Sequence, residues 1–488
     1  LFRGFVGDVL QEAAKRPYFN WVGCESVSMS VDTIIAGGRV VSPTGVRDAS
    51  VAIDGDQIAA VGEEAVLPSA ETRVDATGKL VIPGVVDPHV HVDEVPEDRA
   101  GTMPTETAAA ALGGVTTFID FAFQGGDRRI ADESKDLLDG IDHKRSKTDQ
   151  AYVDYGLHGV LHREEPATLD QIAPAIDAGV TSFKMFMSNY EVGVSNGFMI
   201  QAFERLAELD AVAALHTEDP SVCDALTEQF RRDGKGDPTH YPDSRPRYCE
   251  AMAAEDAVRT AVEHGVKYYG VHTTCRDSAE VIRSFQEDHS NVRAETCTHY
   301  LALTRAAYET QGTRPVIAPP LRTDDDQEAL FEHLANGTLS VVSTDHSVYH
   351  EEDKRADNWW DAPFGANSLQ YSLPMVYSLV VDERGYSLPF LVRLLCTNPA
   401  ETFGLPRKGT LEPGTDADVV VFDPSRTDVI TAADNASNAT FSIYDGMTAT
   451  GGVEKTFLRG DLVAEDGDIV AEEGVGEFVE RELPEWGR

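Results

Sequence analysis

Positive charge is scarce in this chain. Lysine and arginine together number 41 against 83 aspartates and glutamates, so the formal net charge is −42 at pH 7. A surface of this sign repels nucleic acids and anionic membranes, which argues against both as partners. The acidic residues are spread along the whole chain rather than gathered in one arm. This pattern favours a halophilic protein, because molar salt in the cytoplasm screens the repulsion between its charges.

Long apolar runs and paired cysteines are also missing. No run of apolar residues is long enough for a membrane-spanning helix. The six cysteines are scattered and form no CxxC pair, which argues against a disulfide framework and favours a reducing cytoplasm. Residues 1–28 lack the apolar core and cleavage site of a secretory signal. We expect them to be a poorly ordered extension before a natural start at Met29, where a strand-like pattern begins.

Two hydrophobic patterns divide the remaining chain. Residues 29–83 and 401–470 hold short alternating runs between glycine-rich turns, which predict antiparallel strands. In residues 84–400, short apolar strands alternate with amphipathic helical stretches such as "IQAFERLAEL". This alternation predicts an α/β fold with a closed (β/α)8 TIM barrel. We expect the two flanking segments to pair into one small composite β-sandwich, and residues 471–488 to form an acidic C-terminal tail.

Metal-binding residue types stand where predicted barrel strands stop. Reactive groups of such barrels lie at the carboxyl ends of the strands, and "VIPGVVDPHVHVDEV" places His89 and His91 directly after a buried strand. Residues two apart in an extended segment point to the same side, so this pair can bind one ion. His216, His272 and Asp345 end three further strands. A lone histidine at a strand end is more often structural, but all five residues together predict a site for zinc or a similar divalent metal.

Lys184, in the strand "TSFKMFM", admits two interpretations. A lysine at this position can extend its stem along the barrel and expose its ammonium to water. Alternatively, its amine has reacted with carbon dioxide to give a carbamate whose two oxygens bridge two cations. That reaction needs an unprotonated amine, which burial and adjacent metal charge favour.

These motifs resemble those of the cyclic amidohydrolases, the hydantoinases and dihydropyrimidinases. The matching segments run in the family's order from about Met29 to Asp423 and include "PGVVDPHVH", "GVTTFIDFA", "DYGLH", "TSFKMFM", "SRP", "AETCTHYL", "APPLR", "STDHS" and "NPAETFGLPRKGTLEPGTDADVVVFDP". The resemblance implies a (β/α)8 barrel with a composite β-sandwich and a binuclear metal centre, usually of zinc. It also implies a small cyclic amide as substrate and a homo-oligomer, a tetramer or a dimer.

Carried over by motif, the resemblance assigns a role to each of the six residues. One metal is held by His89, His91 and Asp345 and the other by His216 and His272, while carboxylated Lys184 bridges the two. A hydroxide shared by both metals would attack the ring amide carbon, and Asp345 would pass its proton to the leaving nitrogen. The product would be an N-carbamoyl amino acid.

The expected substrate contacts depart from the family's pattern. Hydantoinases usually carry a tyrosine five residues after the bridging lysine, whereas this chain has Asn189 there and Tyr190 one position later. Because the "SNYEVG" segment is polar and strand-breaking, we expect a one-residue bulge that brings Tyr190 rather than Asn189 into the pocket. Ala318 replaces a common serine before the paired prolines, and Asn367 in "PFGANSL" is the candidate for a ring contact usually made by an Asn–Gly loop.

Three alternatives remain at this stage. Allantoinases and dihydroorotase-like hydrolases share the metal ligands. "FIDFA" and "DYGLH" are closer to hydantoinases than to allantoinases, and no arginine flanks the metal motifs to bind the carboxylate of dihydroorotate. Non-catalytic structural relatives have lost metal ligands, whereas this chain keeps all six.

Overall fold

The computed structural model describes residues 30–92, 101–125 and 136–487, and the expected extension at residues 1–28 lies outside these ranges. The described part of the chain contains two sheets. Their strands are β1 Val31–Ser42, β2 Gly45–Asp54, β3 Gln57–Gly62, β4 Ala70–Asp75, β5 Leu80–Pro83, β6 Val85–Asp87, β7 Val115–Phe123, β8 Asp154–Val160, β9 Ser182–Met187, β10 Val212–Thr217, β11 Lys267–Gly270, β12 Val292–Cys297, β13 Val341–Ser343, β14 Val419–Val429, β15 Thr448–Leu458, β16 Asp461–Glu465 and β17 Asp468–Ile469.

Helices fill most connections between the strands of the second sheet. They are α1 Met103–Leu112, α2 Leu137–Arg145, α3 Pro166–Asp170, α4 Ile172–Asp177, α5 Asn196–Glu208, α6 Pro220–Arg232, α7 Tyr241–Ser244, α8 Arg247–His264, α9 Arg276–Gln286, α10 Thr298–Ala302, α11 Ala307–Gln311, α12 Asp324–Ala335, α13 Glu351–Lys354, α14 Ser372–Val376, α15 Leu388–Val392 and α16 Asn398–Thr402. Turns of π-helix continue α14 over Tyr377–Asp382 and α15 over Arg393–Thr397. No helix in the described ranges is long and apolar enough to cross a membrane.

The eight strands β6 to β13 are parallel and follow one another in chain order around a nearly closed barrel. The first and last strands approach each other where the backbone N–H of His91 donates to the carbonyl of His346 over 2.8 Å. Central strands such as β9 are buried on both faces, which explains why their sequences are nearly continuous apolar runs. The predicted TIM barrel is confirmed.

Two segments that flank the barrel, residues 31–83 and 419–469, form the other sheet together. Its nine strands run in the order β17-β16-β15-β14-β5-β1-β2-β3, with β4 beside β1. The pairing that joins the two segments is antiparallel, between β5 and β14, with Val81 opposite Val421. Both residues belong to one buried apolar cluster that also contains Ile35 and Phe457. The predicted composite β domain is therefore one sheet assembled from the two segments that flank the barrel.

The last described residues pack against the barrel although they are acidic. Tyr155 in β8 donates its backbone N–H to Glu477 over 3.0 Å and accepts one from Val479 over 2.8 Å. Arg481 is buried, and its guanidinium donates to the hydroxyl of Ser182 in β9 over 2.9 Å and to the carbonyl of Leu157. This segment thus contributes a buried cation to the interior of the barrel.

Candidate metal centre

His89 and His91 share one partner. Strand β6 ends at Asp87, and the extended chain beyond it carries both imidazoles toward β13. His89 Nε2 lies 3.2 Å and His91 Nε2 lies 3.1 Å from the same oxygen, Oδ1 of Asp345. Asp345 follows β13 with a positive φ of 46°, a conformation that turns it out of the strand direction. The predicted first group of ligands is thus brought into contact.

His216 and His272 form a second pair. His216 lies at the end of β10 and His272 just after the neighbouring strand β11. The Nδ1 atom of His216 lies 2.9 Å from the Nε2 atom of His272. His272 also connects the two groups, because ligand atoms of His89, His272 and Asp345 lie within 4.8 Å of one another. Four imidazoles and one carboxylate therefore converge at the carboxyl ends of the barrel strands.

Two buried glutamates fix the outer nitrogens of this centre. Glu295 Oε1 lies 2.6 Å from His89 Nδ1, and Glu218 Oε2 lies 3.1 Å from His216 Nε2. Histidines that bind metals commonly donate their second ring N–H to a carboxylate, which sets the tautomer and leaves the inner nitrogen as a lone-pair donor. The inner nitrogens here are His89 Nε2 and His216 Nδ1, the atoms that face Asp345 and His272.

Lys184 completes the centre from β9. Its side chain is fully buried, and its Nζ lies 4.9 Å from the ring centroid of Phe186 and 5.5 Å from that of Phe121. The lysine lines the same small cavity, of about 40 Å³, as the four histidines and Asp345. Of the two interpretations open from sequence, exposure of the ammonium to water is excluded.

The electrostatics suit a cation. Burial lowers the pKa of His216 and lowers that of His272 well below its usual value, so both imidazoles are neutral. Burial opposes ionisation of Asp345, but its contacts with His89 and His91 outweigh burial and hold the pKa of Asp345 well below its usual range. Neutral imidazoles beside an ionised carboxylate are the donor set that divalent transition metals prefer, so these residues fit the predicted metal.

Tyr190 and Asn189 diverge after β9. The strand ends at Met187, and the following turn folds back so that Val194 donates its N–H to the carbonyl of Phe186 over 2.9 Å. Tyr190 lines the cavity, with its ring centroid 5.5 Å from that of His216. Asn189 faces away from it, because its amide donates to Asp224 and its oxygen accepts from Arg245.

The other two predicted substrate contacts differ in position. Ala318 lines the cavity. Asn367 is buried, but it is not among the described residues that line the cavity, to which Phe364 and Gly365 belong. Its side-chain oxygen has no hydrogen-bond partner among the described residues.

Sequence reasoning missed the residues that support the ligands. The Phe121 ring stacks on His91 at a centroid distance of 4.4 Å. Buried Arg245 donates to Glu218 Oε2 over 2.7 Å, and its guanidinium lies 5.5 Å from the Tyr190 ring and 5.1 Å from the Phe364 ring. Phe121 and Arg245 lie inside the matching segments "GVTTFIDFA" and "SRP", but nothing in their spacing shows what they contact.

Comparison with known proteins agrees with this geometry. Residues 80–463 match the model of the amidohydrolase family. Over 460 residues the chain is 32% identical to an L-hydantoinase from Paenarthrobacter aurescens, covering 92% of this chain and 98% of that protein. It is 33% identical over 463 residues to a D-hydantoinase from Ralstonia pickettii, covering 92% and 99%. An allantoinase from Salmonella choleraesuis is 31% identical over 443 residues, covering 89% and 95%.

A solved D-hydantoinase structure superimposes with a TM-score of 0.88 at 31% identity, covering 94% of this chain and all of that one. The chain belongs to the amidohydrolase family, and it is a hydrolase.

Proposed function

We propose that this enzyme opens a hydantoin or dihydropyrimidine ring by hydrolysing its cyclic amide bond, with an N-carbamoyl amino acid as product. The observation that carries the proposal is the convergence of His89, His91, His216, His272 and Asp345 around buried Lys184. Support also comes from hydantoinases of both stereochemical types among the relatives that span nearly the whole chain.

The centre would hold two divalent ions, and zinc suits its nitrogen and oxygen donors. His89, His91 and Asp345 would hold one ion, and His216 and His272 the other. Lys184, carboxylated by carbon dioxide, would bridge them. Its full burial favours the unprotonated amine that the carboxylation needs. When bound, such ions lower the pKa of a water molecule and polarise the amide carbonyl.

The remaining chemistry belongs to the chain itself. Asp345, ionised and in contact with two histidines, would take the proton of the attacking water and deliver it to the ring nitrogen as the C–N bond breaks. The Tyr190 hydroxyl would donate to the developing oxyanion. Phe364 and Phe186 would exclude bulk water from the ring, and the main chain at Ala318 would contact the ring's polar edge.

A neutral ring is favoured over a carboxylated one. Among the described residues that line the cavity, none is an arginine. The nearby Arg245 lies behind Tyr190 and Phe364, and its guanidinium is already bonded to Glu218 and Asn189. Within the described part of the chain, the carboxylate of dihydroorotate would therefore find no free arginine. Allantoin, which is neutral, stays as the second candidate because an allantoinase is among the relatives.

We extend the proposal to the setting of the enzyme. It would act as a cytoplasmic homo-oligomer, a tetramer or a dimer, in a cell rich in salt. The cysteines at 223, 249, 275, 297 and 396 are free and buried, which suits a reducing compartment. The net charge of −42 suits molar salt.

A substrate panel tests the function. Hydantoin, dihydrouracil, allantoin and dihydroorotate would be assayed in 2 M potassium chloride with zinc-loaded protein. We expect hydantoin or dihydrouracil to have a kcat/KM at least about 10-fold above allantoin, and no turnover of dihydroorotate. A preference for allantoin would establish the second candidate, and the absence of turnover with every ring would refute the proposal.

A further inference from the structure

Lys354 is a fully buried lysine outside the metal centre. It ends α13, and its Nζ donates to three backbone carbonyls: Val316 over 2.7 Å, Pro363 over 2.6 Å and Gly365 over 2.9 Å. No carboxylate of the described residues forms an ion pair with it. Burial lowers the pKa of Lys354 well below its usual value. Three carbonyl oxygens nevertheless surround the amine nitrogen, and only the ammonium form has three N–H donors for them, so we assign the ammonium form from this geometry.

The three carbonyls belong to two segments that form walls of the cavity. Val316 stands two residues before Ala318, while Pro363 and Gly365 flank Phe364, and Ala318, Phe364 and Gly365 all line the cavity. The two segments are otherwise joined by a hydrogen bond from the Gly365 N–H to the Val316 carbonyl, over 3.2 Å. One buried cation thus fixes the distance between two walls.

Each wall also has contacts of its own besides this link. Tyr241 donates its hydroxyl to the Ile317 carbonyl over 2.6 Å, and Tyr300 donates to the Pro319 carbonyl over 2.6 Å. These bonds hold the segment around Ala318. On the other side, Gly365 has a φ of +128°, and a Cβ built on it would lie 2.8 Å from the side chain of Ser347. The loop at Phe364 therefore packs closely against Ser347. Loss of the Lys354 hydrogen bonds would change the shape of the pocket.

We propose that Lys354 is a positioning residue that sets the width of the substrate pocket and so selects among ring substituents. Lys354 does not line the cavity, and its Nζ bonds to backbone carbonyls rather than to a predicted metal ligand, so it acts through Phe364, Gly365 and Ala318. The inference rests on the proposed function, because it takes this cavity to be the place where the ring binds.

Its action should appear in substrate binding rather than in the metal centre. The Phe364 ring lies beside Tyr190, with 5.5 Å between centroids, so moving the Phe364 loop changes the space next to the reacting ring. A hydrophobic pocket discriminates one methylene by about 10-fold or more. Loss of the Lys354 hydrogen bonds should therefore change KM and the preference among ring substituents, while the metal-binding residues stay in place.

The test compares Lys354→Met with wild type and with Arg355→Met, a change of the adjacent and exposed arginine. Each protein would be assayed for kcat and KM on rings with a hydrogen, a methyl or a benzyl substituent, and for zinc content. We expect Lys354→Met to raise KM by about 10-fold, to change kcat less, and to weaken the preference among substituents. Zinc content should be unchanged, and Arg355→Met should behave as wild type.

Unchanged KM and preference in Lys354→Met would overturn the inference, whatever happens to its thermal stability. If the methionine variant does not fold, Lys354→Gln, which keeps two N–H donors, decides between the same outcomes with a smaller expected shift in KM. If the wild-type protein hydrolyses no ring of the panel, the proposed function is refuted. If the wild type is active and Lys354→Met has the same KM and preference, only the role of Lys354 is refuted.

Discussion

A single oxygen of Glu218 joins His216 to Arg245. Glu218 Oε2 lies 3.1 Å from His216 Nε2 and accepts a hydrogen bond from Arg245 Nη1 over 2.7 Å. Burial opposes ionisation of Glu218, but Arg245 and His216 outweigh it and lower the pKa of Glu218 to about 2. An ionised Glu218 fixes the ring of His216 with Nδ1 toward His272.

Glu218→Gln should therefore weaken metal binding. A glutamine amide can present its NH2 to His216 and reverse the tautomer, and loss of such an outer partner typically lowers metal affinity by about 10- to 100-fold. A competition titration with a chelator of known zinc affinity measures the change. The control is Glu228→Gln, an exposed glutamate on α6. Equal affinities for the two variants would show that Glu218 does not orient the histidine.

Lys184→Ala should abolish most activity and metal retention. The variant removes the only lysine lining the described cavity, so no other amine there can form the carbamate. The loss of activity should exceed the roughly 10- to 100-fold loss that is typical when a residue bonded to a metal ligand is removed. Metal content by elemental analysis and kcat are the two measurements. Partial recovery in added acetate or propionate would support the bridging role, and near-normal turnover without them would make Lys184 structural.

Tyr190→Phe should reduce turnover without loss of metal. The removed hydroxyl is the proposed donor to the oxyanion, and loss of one such donor costs on the order of 100-fold in kcat. Asn189→Ala is the matched neighbour and should do less, because Asn189 faces Asp224 and Arg245 rather than the cavity. A larger loss of turnover in Asn189→Ala than in Tyr190→Phe would show that the amide of Asn189, rather than the Tyr190 hydroxyl, contacts the substrate.

Salt should stabilise the fold strongly. With a net charge of −42, repulsion is screened over a Debye length of about 10 Å in 0.1 M salt and about 3 Å in 1 M. The thermal midpoint should therefore rise between 0.1 M and 2 M potassium chloride. The same comparison at pH 5, close to the isoelectric point of about 4.5, should give a smaller rise. Equal midpoints at neutral pH would remove the halophilic interpretation.

Arg481→Met should destabilise the barrel. The change leaves the Ser182 hydroxyl and the Leu157 carbonyl without their buried donor, at a cost of about 1–3 kcal/mol. Urea denaturation measures it, with Glu485→Gln, an exposed residue of the same segment, as control. A midpoint equal to that of the control would mean that water replaces the guanidinium.

The barrel was predictable because its strands carry a repeating local signal. Lys184 illustrates this: Phe183 and Met185 on either side of it pack into the large apolar core, while Phe186 belongs to a separate cluster with Phe121. The alternation along one strand thus showed that the lysine faces away from the outer core. The histidines were visible for the same reason, since each follows an apolar strand.

The supporting residues gave no such signal. Glu218 and Arg245 are 27 positions apart and meet only because the loop after β10 packs against the start of α8. The choice between Asn189 and Tyr190 depended on where β9 ends, which alternation alone does not determine. The sequence predicted only an acidic tail for residues 471–488, because buried Arg481 and Trp486 do not follow the spacing of a strand or a helix.

The pairing of β5 with β14, and of residues 477–481 with the barrel, has a consequence for biosynthesis. During translation β5 has its neighbour β1 but lacks its other neighbour β14. Strands β8 and β9 lack the Arg481 cation until residue 481 has left the ribosome, so the nascent chain exposes apolar edges for most of its synthesis. Contacts across such sequence separations also form slowly. Production in a host poor in salt and chaperones should therefore give aggregates. Fusion partners placed directly after buried Trp486 would interfere with the last step of folding.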